Sequence, residues 1–325
     1  PGYIGRNVLD ELLAINYSVT VLVRQQEQAA ILENAGAKTV LGSLSDLKLI
    51  TDQASLHEIT INTASCDDLP SVEAVLAGIR QRVRSGKPSI YIHTSGAGVL
   101  EDGATGMFKG SQIYRDDIPE DIHAIPTSSM HRNVDIPVVE AAREFGDQAK
   151  IVIVYPPLVY GLNSSHNRHS FALSSLVRFA LKHGFVGYVG LGHNVWSVVH
   201  VKDLGRAYGT ILAHVRESSP AEFLKNPYFF AENGSEVSMR DLAEKISEAL
   251  YGLGKLPSAR VQPFTESDYG DVLGPMTPVG LGCNSRSRAI RLTQLGWKAG
   301  EKDIWTSLKE EEVMSIVTSL ESTSG

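Results

Sequence analysis

Apolar positions along the chain switch repeatedly between helical and strand-like period. Val8, Leu9, Leu12 and Leu13 recur at helical spacing over 7–13 and give one face that can lie on a sheet. The next stretch, Val19-Thr20-Val21-Leu22-Val23, is a short β-branched run, the pattern of a strand covered on both faces. A helix over 26–34, which Gly36 can end, leads to a strand over 38–41. Strands over 59–63, 89–94 and 150–155 follow, with helical spacing over 71–83 and 134–145 and a polar, glycine-containing loop over 96–126. Repeated βα units with short connections predict an α/β fold, a doubly wound and mostly parallel sheet with right-handed crossovers.

Beyond Tyr155 the alternation breaks down. Pro156, Pro157 and a loop over 161–167 precede an amphipathic helix over 171–182, a strand over 195–201 and a helix over 203–214. Asp203 is placed to cap that last helix. A strand over 227–231 comes next, and Ser238 with Asp241 forms a capping pattern ahead of Leu242, Ile246 and Leu250. The 252–284 stretch is loop-rich, and Ile304, Leu308 and Val313 mark a final helix.

Composition narrows the class of protein. A chain of 325 residues, 42% hydrophobic, can build a large core and has the length of about two domains. Its 37 acidic and 30 basic residues give a net charge of −7, the wrong sign for a general nucleic-acid partner. No apolar run approaches the roughly 18–20 residues needed to span a bilayer, which removes a membrane-crossing role. Cys66 and Cys283 lie far apart without metal-ligand spacing and read as free thiols of a reducing compartment. His166 and His169 are three apart with no accompanying acidic ligand pattern, so no metal is expected. The expectation is a cytoplasmic protein with a small-molecule substrate; monomer and homodimer both stay open.

The cofactor chemistry is written at the start. Gly2 and Gly5, flanking Tyr3 and Ile4, have the spacing of the last two glycines of GxxGxxG ahead of a helix. Such glycines let the backbone approach a pyrophosphate at a helix N-terminus. The first glycine and its strand are expected upstream of Pro1. After the second strand, where a carboxylate would hold an unmodified ribose, stands Arg24, whose guanidinium suits a ribose 2′-phosphate. NADP(H) is therefore favoured, with NAD(H) the alternative and a merely superficial arginine the plain one. Ser43, Leu44 and the turn Thr63-Ala64-Ser65 fall where loops at the sheet's end can surround adenine and the second ribose, although their polar groups also suit ordinary turns.

Taken together, Gly2-Tyr3-Ile4-Gly5, Ile92-His93-Thr94-Ser95-Gly96-Ala97-Gly98-Val99, Tyr155-Pro156-Pro157-Leu158-Val159-Tyr160-Gly161 and Val198-Val199-His200-Val201-Lys202-Asp203 resemble, in order, the signature segments of extended short-chain dehydrogenase/reductases, including their NAD-dependent epimerase/dehydratase branch. The resemblance implies a Rossmann-type doubly wound parallel sheet with a smaller C-terminal substrate domain. The dinucleotide-binding domain would span 1–160, completed by about 195–217, with 161–194 and 218–325 as substrate-domain or lid elements. It also implies cofactor contacts from Thr94, Tyr155, Pro156 and Val159. The family's Tyr-x-x-x-Lys pair has no counterpart: the expected region reads Ser128-Ser129-Met130-His131-Arg132-Asn133-Val134-Asp135, and Gly96 stands at the usual hydroxyl position.

A substitute set is Ser95 to orient a substrate oxygen and His131, tuned by Asp135, to relay the proton that accompanies hydride transfer. A helix-stabilising pair four residues apart explains His131 and Asp135 equally well. Tyr160 suits a packed aromatic as readily as a phenolic donor, and His200 reads as a hydrogen-bonded core residue. Three functions follow: NADP-dependent oxidation or reduction of a small carbonyl or alcohol, a nucleotide-cofactor-dependent epimerase or dehydratase, and a non-catalytic dinucleotide sensor.

Overall fold

The computed structural model describes residues 1–323. Its first half runs α1 (Tyr3–Ala14), β1 (Thr20–Val23), α2 (Gln26–Asn34), β2 (Lys38–Leu41), α3 (Leu47–Leu56), β3 (Ile59–Asn62), α4 (Leu69–Arg84) and β4 (Ser89–Thr94). Sequence periodicity anticipates all of these except α3, whose only fully buried positions are Ile50 and Ala54. β1 and β2 form a parallel pair. A second parallel sheet has the order Tyr228–Phe230, Ala149–Tyr155, β4, β3. The arrangement is a Rossmann-like α/β fold with a further C-terminal region.

β1 and β3 each pair on one edge only. Between them lies a cleft of about 830 Å³, walled by β1, β3 and apolar residues of α1 and α3 such as Val8, Leu12 and Ile50. In a βαβ unit this is the space that a strand leading into α1 takes. The gap accounts for the half-buried state of every β3 residue beside the fully buried β4.

Two apolar cores organise the rest. The larger sits under β3, β4 and the strand Ala149–Tyr155, and draws in Tyr228, Phe229, Phe230, Leu292 and Trp297 from late in the chain. The other joins Leu173, Phe179, Val198, Leu242, Ile246 and Ile316. The helix Val201–Glu217 packs against α1 and carries the chain between them. Its cap differs from the expected one: His200 Nδ1 accepts from Lys202 N at 3.2 Å. Asp203 instead accepts from Gly300 N at 2.8 Å and Glu301 N at 3.2 Å, tying a distant loop to the helix. The expected cap at Ser238 is present, its hydroxyl accepting from Asp241 N at 3.0 Å. No helix among the described residues is long and apolar enough to cross a membrane.

Candidate active site

At the mouth of the cleft, α1 starts from Gly2 in extended backbone, with no side-chain cap and no acidic residue in its first turn. Its free amides therefore form an uncompensated positive helix end. A Cβ on Gly5 would lie 2.5 Å from Thr63 Oγ1, so glycine is required for α1 to pack on the turn after β3. A Cβ on Gly2 would meet nothing within 4 Å. Neither packing nor backbone angle demands glycine there.

Seven of the expected cofactor residues line this cleft: Gly2, Gly5, Arg24, Ser43, Leu44, Thr63 and Ala64. Arg24 is exposed and engages no carboxylate among the described residues. Ser43 spends its backbone N–H (2.6 Å) and hydroxyl (2.9 Å) on Asp46, which closes the turn after β2. Ser65 also serves its own turn, accepting from Asp67 N at 3.2 Å. The other expected contacts point elsewhere. The Tyr3 hydroxyl donates to Gly161 O at 2.6 Å, Ile4 packs on the larger core, and Thr94 Oγ1 pairs with the Tyr208 hydroxyl at 2.5 Å. Tyr155 is fully buried between Tyr228 and Phe230, Pro156 is buried with its carbonyl accepting from Ala97 N at 2.9 Å, and Val159 is half-buried against the larger core.

Ser95, His131 and Asp135, the expected proton-transfer set, are arranged differently from the sequence expectation. His131 Nδ1 lies 2.6 Å from Asp67 Oδ1, a carboxylate 64 residues away on the turn after β3. The contact to Asp135 is only the helix backbone bond, Asp135 N to His131 O at 3.0 Å. The Asp135 carboxylate is fully buried and accepts from the Tyr155 hydroxyl at 2.9 Å. Burial pushes that carboxyl up to about 6. Ser95 stands beside it without meeting hydrogen-bond geometry, and its hydroxyl has no surface open to a ligand. Ser95 and Asp135 thus form an interior group, while His131 borders the surface.

His131 caps the helix Arg132–Phe145 in left-handed backbone, φ 66°, a conformation that costs a non-glycine residue energy and is often kept where function needs it. The turn aims its ring at Gly96 and Gly98, where an added Cβ would come within 3.0 and 3.3 Å of Nε2. Glycine at the usual hydroxyl position is therefore what makes room for the imidazole. Burial disfavours the charged ring, but the hydrogen bond to Asp67, aided by the Cys66 thiol and the Asp67 charge, outweighs it and pushes the pKa up to about 10. In return, the hydrogen bond from His131 holds the Asp67 carboxyl below its ordinary value. Asp67 leaves no spacing signal with His131, so only the fold reveals the pair. Ligand-type atoms of Cys66, Asp67 and His131 also lie within 4.8 Å of one another, and the Asp67–His131 bond accounts for most of that closeness.

Two other residues weighed from sequence have structural partners. Tyr160 donates to Lys302 O at 2.8 Å, and His166 bonds Asp10 at 2.7 Å.

The fold is a Rossmann-like α/β architecture of the kind found in epimerase/dehydratase-type and extended short-chain dehydrogenase/reductase structures. No family model matches the sequence. The chain is 26% identical to "Oxidase ucsJ" from Acremonium sp, over 91% of this chain and 90% of that protein. Its fold matches UDP-glucose 4-epimerase from Bifidobacterium longum, solved with NAD+ and UDP, at a TM-score of 0.67 and 16% identity, covering 98% and 96% of the two chains. It also matches yeast methylglyoxal/isovaleraldehyde reductase Gre2, solved with NADPH, at a TM-score of 0.63 and 14% identity, covering 99% and 97%.

Proposed function

We propose that this chain is a nicotinamide-dinucleotide-dependent enzyme of the oxidoreductase or epimerase/dehydratase type, acting on a small organic substrate. The observation that carries the reading is the uncapped start of α1, where Gly5 packs against the Thr63 turn and the unpaired Arg24 stands at the end of β1. The backbone at Gly2 and Gly5 would receive the diphosphate, and the 43–44 and 63–64 turns would border the adenosine half. Arg24 favours NADP(H) over NAD(H), because a guanidinium gains a charge-assisted bond from a 2′-phosphate. When bound, the dinucleotide supplies or accepts a hydride.

The protein's part is the proton. His131, kept charged by Asp67, would donate to a carbonyl oxygen as that oxygen becomes a hydroxyl, and Asp67 would hold the ring's orientation. A charged histidine at neutral pH suits the reductive direction, and net reduction of a small carbonyl is the favoured reaction. The epimerase/dehydratase reading draws support from the fold likeness to UDP-glucose 4-epimerase. It requires the same proton relay with the cofactor returned to its starting state. Titration of the full chain with NADPH and NADH, followed by single-turnover assays on a panel of small aldehydes, ketones and nucleotide sugars, separates these cases. Oxidation of bound NADPH with a carbonyl supports net reduction, and isomerised sugar without net redox change supports the second reading. Uptake of neither dinucleotide contradicts both.

A further inference from the structure

The loop over 161–170 leaves the substrate-side core and crosses to the cofactor cleft, and it is fastened at both sides. Toward α1, Asn163 Nδ2 donates to Asn7 Oδ1 at 2.9 Å and His166 Nε2 meets Asp10 Oδ2 at 2.7 Å. Toward the C-terminal helix, Gly161 N donates to Glu312 Oε2 at 2.8 Å and His169 Nε2 lies 2.8 Å from Ser315 Oγ. One residue of this loop reaches the cleft: Arg168, half-buried, lining it together with Pro1, Gly2 and Arg24. The fields of Arg168, Arg6 and Arg24 converge on Pro1.

Each nearby cation has an account except two. Arg6 is engaged with Asp10 at 3.1 Å. Arg24 and Arg168 have neither ion pair nor hydrogen bond among the described residues. They approach from different elements, Arg24 from the end of β1 and Arg168 from the loop over 161–170. An unpaired guanidinium on a pinned loop, lining the cleft at the start of α1 and near enough to Pro1 for its charge to be felt there, can engage a group carrying several oxygen acceptors. An anchored donor also loses little freedom on binding.

We propose that Arg168 is a diphosphate-binding residue, closing on the dinucleotide from the substrate-domain side and contributing affinity common to its phosphorylated and unphosphorylated forms. This rests on the dinucleotide reading above and assigns a separate role to each arginine. Arg168 sets how tightly any such cofactor is held, and Arg24 sets which one is preferred.

The test is calorimetric titration of the full chain, as wild type and as Arg168→Ala, Arg168→Lys and Arg24→Ala, with NADPH, NADH, ADP-ribose and 2′-AMP. Arg168→Ala is expected to weaken NADPH, NADH and ADP-ribose by a similar factor, roughly 10–100-fold, and to leave 2′-AMP unchanged. Arg168→Lys should recover part of that loss. Arg24→Ala should weaken NADPH and 2′-AMP but spare NADH. Unchanged binding of NADPH and NADH by Arg168→Ala, with its thermal unfolding equal to wild type, overturns the assignment and leaves the dinucleotide reading intact. A loss confined to 2′-phosphorylated ligands does the same. Failure of the wild type to bind either dinucleotide overturns both.

Discussion

Two histidines near one end of the parallel sheet each stand close to a carboxylate and titrate in opposite directions. His131 touches Asp67 at 2.6 Å, keeps 9% of its side chain exposed, and its pKa rises to about 10. His93, the fifth residue of β4, is fully buried, its Nε2 lies 3.9 Å from Asp135, and burial pushes it down to about 4. A 3.9 Å separation without a hydrogen bond does not offset the cost of placing an imidazolium in the interior, whereas a short charge-assisted bond does. His93 therefore works as a neutral core group, accepting from or donating to the Tyr91 hydroxyl at 3.0 Å, and His131 as a charged one. Proximity to a carboxylate in the sheet's terminal loops does not by itself make a proton donor; contact and access do.

This contrast can be broken most strongly by exchanging the charged ring for a neutral isostere. His131→Gln should slow single-turnover hydride transfer by roughly 10²–10⁴-fold, the range for loss of a positioned acid, while dinucleotide affinity stays within a few-fold. His93→Gln should leave the rate within a few-fold. Equal losses in the two variants would erase the distinction.

A smaller effect sharpens it. Asp67→Asn keeps the shape of the contact but removes the charge that raises the His131 pKa, so the alkaline fall of the reductive pH–rate profile should move down by roughly 1–2 units. An unmoved profile assigns that limb to another group.

The remaining effect is on stability. The folded pKa of His93 is depressed, so its contribution is present above the unfolded value of 6.5 and is lost as pH falls through about 4. That is roughly 3 kcal/mol over the window. Urea unfolding at intervals from pH 7 to 4 should show wild type losing more stability than His93→Gln, and parallel losses would contradict a neutral buried ring.

The same division explains what the amino-acid sequence reveals. Helices, strands and the glycine turn at α1 depend on neighbours in the chain, so Val19 to Val23, Gly2, Gly5 and Arg24 can be read directly. α3 escapes because Leu47, Leu49 and Leu56 are interrupted by polar Lys48, Thr51, Asp52 and Gln53, with only two positions fully buried. The proposed proton-transfer site joins residues that share no local pattern. Asp67 reaches His131 from another strand end, Tyr155 rather than His131 takes the Asp135 side chain, and Ser95 turns inward. One local clue was available: Gly96, where a hydroxyl is customary, marks the space that His131 fills.

The most direct measurement is the ionisation of His131 itself, followed by heteronuclear NMR of imidazole-labelled full chain, with His131→Gln identifying its resonance. An imidazolium that persists from pH 6 through pH 8 and loses its proton only well above that range is the predicted result. A ring that titrates at or below the ordinary histidine value near 6.5 would contradict an Asp67-charged proton donor.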